Sequence, residues 1–219
     1  MGLKVMVDAG HGGPPTKGFN YGAAGFGVEE KSVVLSVALE MRNLFPDSVR
    51  LTRSTDTLLG LSERAGIANR AGADVFVSLH CNGYEPRPDA RGWEIFHASG
   101  SGVGESLCQK IHNSVFPVFP EGWPNRGIKS ANYSVLTNTT MPAALLEFGF
   151  LTNRQDAEWL SHKVNQIALA QAIGEGLGLS RSQAPENPEE QESPAKLVEK
   201  IQKELNHLAS LISKPTNLS

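Results

Sequence analysis

Val5-Met6-Val7-Asp8-Ala9-Gly10-His11-Gly12-Gly13 reads as a short apolar strand running into a glycine-rich turn that carries one histidine. Glycines on both sides of His11 let the backbone approach another group closely and adopt dihedrals that side chains resist. A histidine at the C-terminal end of a buried strand lies where open α/β sheets place their chemistry. The stretch therefore sets two expectations, a sheet interleaved with helices and a ligand or catalytic role for His11. A strand-to-loop corner with a merely solvated histidine is the plainer alternative.

The rest of the chain extends the first expectation. Residues 3–7 read as the buried strand, and Glu30 to Phe45 carries apolar positions at Val33, Val34, Val37, Ala38, Met41 and Leu44. That spacing predicts a core-facing helix ending before Pro46. A strand is expected at 49–52, a helix at 61–71, and at 75–80 a strand apolar until its last residues, as a central position requires. Residues 92–97 alternate like a half-buried strand, 103–115 resemble a helix, and 117–127 form a Pro/Gly-rich loop. Ser134-Val135-Leu136 then leads to the strand Ala143–Phe148, and a helix from about Val164 to Leu177 closes the domain. The fold expected is α/β: a single domain over 1–180 with a twisted mixed, mostly parallel sheet covered by helices on both faces.

Composition bounds the function. The 219 residues suit one such domain plus an appendage. A formal net charge of -3 supplies no basic field and argues against nucleic acid as a partner. Cys81 and Cys108 are too few for a disulfide framework or a zinc knuckle and are expected as buried, reduced thiols. No apolar run approaches the roughly 18 residues of a membrane span. Met1-Gly2-Leu3-Lys4 leads straight into the first strand, so synthesis in the cytoplasm without a signal peptide is expected, although a chain trimmed of its signal would read the same. Residues 181–194, rich in Ser, Gln, Pro and Glu, predict a solvated linker. In 195–213, Val198, Ile201, Leu205, Leu208 and Ile212 are spaced 3, 4, 3 and 4 apart, a heptad pattern that predicts self-association of a C-terminal helix.

Four polar groups sit where strands end or helices begin: His11, Glu30, His80 and, within an apolar strand, Glu147. Two histidines and one carboxylate make a catalytic zinc set that leaves a fourth position for water. A carboxylate in so apolar a strand as Glu147's is costly to bury unless paired or neutralised, which suits a general base and acid. Each has an ordinary alternative: a helix-dipole acid for Glu30, a satisfied core histidine for His80, a buried ion-pair partner for Glu147. The helix-borne His-Glu-x-x-His signature is absent.

The order Asp8-Ala9-Gly10-His11-Gly12-Gly13, Glu30-Lys31, Leu51-Thr52-Arg53 with Asp56, and Leu61-Ser62-Glu63-Arg64 with Ala68-Asn69 continues through Ser78-Leu79-His80-Cys81-Asn82 to Pro142–Asn153. Over about residues 3–179 it resembles the zinc-dependent N-acetylmuramoyl-L-alanine amidases of type 3, a group that includes septum-splitting, spore-cortex and autolytic enzymes and phage endolysins. The resemblance implies one Zn2+ held by His11, Glu30 and His80, with Glu147 catalytic and Glu29 competing with Glu30 as ligand. It implies structural roles for Arg53, Arg64 and Asn69, and a substrate-facing one for Asn82. The reaction implied is hydrolysis of peptidoglycan between N-acetylmuramic acid and L-alanine. The interval from His80 to Glu147 leaves little room for the inhibitory helix of septal members, so an endolysin released by a holin is expected. A bacterial autolysin, a zinc peptidase of the stem peptide and a non-catalytic wall-binding module are the alternatives.

Overall fold

β1 (Val5–Ala9) is buried along its whole length and pairs in parallel with β4 (Val49–Leu51) on one side and β5 (Val75–Asn82) on the other. The computed structural model describes residues 2–14 and 22–181. β8 (Ala143–Phe150) lies parallel to β5, β6 (Trp93–His97) runs antiparallel to β8, and β7 (Asn125–Ser130) is parallel to β6. The sheet order is β4-β1-β5-β8-β6-β7, so the sheet is mixed, with β6 and β7 reversed against the other four strands. A hairpin of β2 (Ala24–Gly25) and β3 (Val28–Glu29) feeds directly into α1 (Glu30–Leu44). Residues 182–219, which hold the expected heptad helix and nearly all of the expected linker, lie outside the described residues. No described helix is long and apolar enough to cross a membrane.

Side chains alternate across a strand, and here the alternation sorts apolar from polar. Val5, Val7 and Ala9 of β1, Val77 and Leu79 of β5, Ile95 of β6, and Leu146 and Phe148 of β8 face the main core. That core is closed by α1, α3 (Gly102–Val115), α5 (Arg154–Ser161) and α6 (Lys163–Gly176). The opposite face carries a smaller cluster, Met6, Phe76, Phe96 and Leu145, under α2 (Leu61–Arg70) and α4 (Ser134–Thr137). Asp8, Ser78, His80, Glu94 and Glu147 belong to this second face, which two short helices cover only in part. The uncovered part is where the site forms.

The structure departs from the sequence expectations at a few elements. The first strand continues through Asp8 and Ala9 because Asp8, fully buried, is neutralised there by Arg64. β6 is buried at all five positions rather than half-buried, since β8 and β7 flank it and both faces are covered. The expected 117–127 loop begins with a single 3-10 turn, Phe116–Val118, and ends in β7, whose Asn-Arg-Gly-Ile-Lys-Ser run has the polar character of a sheet edge. The β2–β3 hairpin and α5 have too few apolar repeats to announce themselves. Cys81 and Cys108 are both buried and free.

Asp8 accepts hydrogen bonds from Arg64 Nη1 (2.8 Å), Thr52 Oγ1 (2.6 Å) and Ser78 Oγ (2.8 Å). Burial alone would raise its carboxyl pKa, but Arg64 and the two hydroxyls outweigh burial and hold it below the ordinary value. Asp8→Ala leaves Arg64 charged and uncompensated, and is expected to cost about 3–5 kcal/mol. The expected readout is a lower denaturant midpoint at unchanged slope. A loss under about 1 kcal/mol, the size of an exposed pair, would show that Asp8 is not the anchor.

Candidate metal centre

His11 leaves the end of β1 with φ 55°, followed by Gly12 at 117° and Gly13 at 85°. A positive φ is uncommon for a residue with a side chain, and two arginines hold this one in place. Arg64 donates to the carbonyls of Ala9 (2.7 Å) and His11 (2.6 Å), and Arg53 to those of Ala9 (2.8 Å) and Gly10 (2.8 Å). Asp56 takes the Gly13 N–H at 2.8 Å and pairs with Lys31, which fixes the glycine turn against α1. Arg53 and Arg64 are thus structural, as their place in the sequence suggested. Asn69 bonds Asn138 and Thr140 instead, tying α2 to the loop after α4.

Glu30 is the first residue of α1, swung inward by the hairpin before it. Its Oε2 accepts the Ala23 N–H (2.6 Å) and its Oε1 the Cys81 N–H (3.0 Å). The same Oε1 lies 3.1 Å from His11 Nε2 and 2.8 Å from His80 Nδ1. Glu29, its neighbour in sequence, is exposed and accepts a hydrogen bond from Ser32 at 3.4 Å. The three donor atoms of His11, Glu30 and His80 lie within 4.8 Å of one another. Two glycines make room for them: a Cβ at Gly10 would overlap the His80 imidazole, and one at Gly22 would press on Glu30 Oε2 and the His11 ring. Burial would raise the Glu30 carboxyl, but hydrogen bonds and charge from both histidines hold it down at about 2.

Glu147 stands directly across from His80 in the β5–β8 ladder, and Glu94 stands across from Glu147 in the β8–β6 ladder. The row His80-Glu147-Glu94 therefore crosses three adjacent strands on one face. Glu94 accepts from Asn82 Nδ2 and Arg126 Nε, each at 2.8 Å, and pairs with Lys129. Glu147 is half-buried in the cleft, yet its Oε2 is sealed from solvent and has no hydrogen-bond partner among the described residues. Burial, then the Glu30 and Glu94 charges, push its carboxyl pKa well above the ordinary value. A cleft of about 370 Å³ joins His11, Glu30, His80 and Glu147 to Asn82.

The donor set fits a metal. Zinc bonds of about 2.0–2.2 Å at tetrahedral angles set ligand atoms about 3.3–3.5 Å apart, slightly wider than the contacts at Glu30 Oε1. The Ala23 amide on Oε2 and the Cys81 amide on Oε1 orient the Glu30 carboxylate, the support from behind that a ligand needs. His11 and His80 side chains are each 17% exposed while Glu30's is 3%, so the set opens to the cleft through its histidines.

Comparison with known proteins gives this geometry a lineage. A family model for N-acetylmuramoyl-L-alanine amidases matches residues 5–178. The chain belongs to the N-acetylmuramoyl-L-alanine amidase family. The amidase CwlM of Bacillus licheniformis is 36% identical over 188 residues, covering 82% of this chain and 68% of CwlM. The endolysin of Bacillus phage SPP1 is 33% identical over 207 residues, covering 89% of this chain and 73% of the endolysin. Among solved structures, the catalytic domain of the amidase CwlV from Bacillus (Paenibacillus) polymyxa superposes with TM-score 0.71 at 34% identity, over 80% of this chain and 96% of that one. The amidase AmiC2 of Nostoc punctiforme gives 0.72 at 32% identity, over 80% and 94%.

In this amidase the sequence reading overlooked Glu94 and Tyr133. Glu94 carried the same signal as Glu147, a lone carboxylate among Trp93, Ile95 and Phe96, but the strand's alternation suggested a solvent-facing position. Tyr133 borders Glu147 from outside the strands and had no pattern to mark it. Glu147→Gln removes a buried charge, and the sign follows from the raised pKa. The unfolded chain releases this proton near the ordinary carboxyl value while the folded one keeps it, so stability falls as pH rises between the two values. In the metal-free protein Glu147→Gln should then match the parent's unfolding free energy below about pH 4 and exceed it increasingly towards neutrality, by about 1–3 kcal/mol. A pH-independent difference would contradict the buried-charge account.

Proposed function

We propose that this amidase hydrolyses peptidoglycan at the amide between the lactyl group of N-acetylmuramic acid and the L-alanine of the stem peptide, as a zinc enzyme with Glu147 as general base and acid. The observation that carries the reading is the Glu147 carboxylate, without a hydrogen-bond partner among the described residues, in register with His80 and lining one cleft with the His11–Glu30–His80 set. Those three residues would hold the zinc. When bound, zinc supplies Lewis acidity, polarising the carbonyl and acidifying water. The Glu147 carboxylate, which borders the cleft, accepts a proton from the attacking water as the water oxygen bonds to the carbonyl carbon. It then delivers that proton to the amine nitrogen as the C–N bond breaks. One carboxylate set beside both the water and the leaving nitrogen can serve as base and then as acid. Asn82, which lines the same cleft, is assigned a substrate-facing role.

We further place the enzyme with phage or prophage endolysins, reaching the wall after holin release. The support is the SPP1 endolysin alignment, which extends over 89% of this chain against 82% for CwlM. A holin gene beside the coding sequence is the expected context, and an encoded export signal in the same reading frame would remove the assignment.

Purified enzyme should lose lytic activity in a chelator and regain it with stoichiometric zinc. Glu147→Ala should lower kcat by about 10²–10⁴, and a variant retaining full activity would overturn the role of Glu147. Mass spectrometry of digested walls should find new L-alanine amino termini with intact glycan, whereas cleavage between two amino acids would mean a peptidase. Gly10→Ala, which forces the His80 ring to move, should weaken zinc affinity by about 10–100-fold, a loss typical of a disturbed outer shell. Unchanged affinity would argue that His80 is not a ligand.

A further inference from the structure

The metal cluster opens onto two hollows of different chemical character. A groove of about 500 Å³, bordered by Leu58, Leu61, Tyr133 and Val135, reaches His11, His80 and Glu147 from one side. On the other side the cleft continues past Asn82 and Gly83 into a hollow of about 460 Å³ bordered by Arg87, Arg91 and Arg126. Arg91 is engaged by Asp156 and Gln155, and Arg87 by Asp89 at the surface. Arg126 is different. Its Nε donates to Glu94 and its guanidinium lies 4.9 Å over the Phe150 ring, while neither terminal nitrogen has a hydrogen-bond partner among the described residues. Lys129 leans on the same Glu94 oxygen, so two cations share one carboxylate and one positive charge is left over.

We propose that this hollow is the stem-peptide subsite, in which Arg126, supported by Lys129, binds a free carboxylate just beyond the scissile L-alanine. The proposal rests on the muramyl–alanine reading above: the scissile amide joins an uncharged sugar ether to a peptide that continues into an acidic residue. The apolar, tyrosine-bearing groove suits the sugar and the cationic hollow suits the peptide, which fixes the direction of the substrate across the metal. An arginine with both terminal nitrogens open takes a carboxylate through two parallel bonds, and a carboxamide offers only one acceptor oxygen. The enzyme therefore distinguishes walls whose second stem residue is a free acid from walls in which it is amidated.

The test uses two muramyl peptides that differ only in a carboxylate or carboxamide at the second residue, together with the two corresponding free peptides. Zinc-loaded enzyme should favour the acid by about ten-fold or more in kcat/KM, and the acid peptide should bind more tightly by a similar factor in calorimetry. Arg126→Gln should bring both ratios close to one, and Arg126→Lys should leave them intermediate, since charge remains without the fork. Arg126 also touches Glu94 and through it Glu147. A purely structural disturbance along that route slows both substrates alike and leaves the ratio standing, which would overturn the proposal, as would a parent enzyme that cleaves both equally. Should Arg126→Gln fail to fold, Lys129→Gln measured in the same way should reduce the ratio, and an unreduced ratio counts against the subsite. Discrimination in binding without cleavage at the muramyl–alanine bond would sink the amidase reading and spare the subsite.

Discussion

Three consecutive backbone carbonyls, those of Ala9, Gly10 and His11, are taken by just two arginines, and the centre depends on that arrangement. A left-handed backbone at His11 costs about 1–2 kcal/mol against the right-handed alternative. Left to itself the turn would relax and carry the imidazole away from β5. Arg53 and Arg64 prevent this by making the unfavourable conformation the one in which every carbonyl is bonded. They are buried in turn, and Asp8, the residue before Ala9 in β1, gives Arg64 the countercharge that burial requires. The glycines then remove the last obstacle, side-chain bulk between the turn and the His80 ring.

The remaining geometry follows from the sheet. Parallel pairing of β1, β5 and β8 brings their C-terminal ends to one edge, and the two-residue period turns Asp8, Ser78, His80 and Glu147 to one face. The large core under α1, α3, α5 and α6 claims the other face, so the charged row falls on the side where cover is thin. Two electrostatic environments result within one cleft. Glu30 is held ionised by histidines and amides, whereas Glu147 faces the Glu30 and Glu94 carboxylates with no donor among the described residues. Carboxylates driven in opposite directions by their surroundings are the mark of divided labour in a catalytic site.

Much of this was legible in the sequence because the signals were local. Periodicity placed α1, α2, α3 and α6 to within a residue or two, and the apolar runs located β5 and β8. His11, His80 and Glu147 stood out because each is a polar residue at the end or in the midst of a hydrophobic strand. The choice between Glu29 and Glu30 was not local. Both could open a helix, and only the hairpin pairing of Ala24 with Glu29 turns Glu29 outward and Glu30 inward. Glu94 and Arg126 escaped for a related reason, since their meaning comes from strands that pair across long stretches of chain. β7 escaped because an edge strand needs no apolar alternation.

The placement of β8 has a consequence in time. Among the described residues it is the last strand in the chain, yet it sits in the middle of the sheet, between β5 and β6. Before residues 143–150 leave the ribosome, β4, β1 and β5 have no neighbour through which to join β6 and β7, and His80 has nothing across from it. Because chains emerge and fold from the N-terminus, His11, Glu30 and His80 are all made well before Glu147. A nascent chain that ends before this strand thus carries His11, Glu30 and His80 without the carboxylate that pairs across from His80.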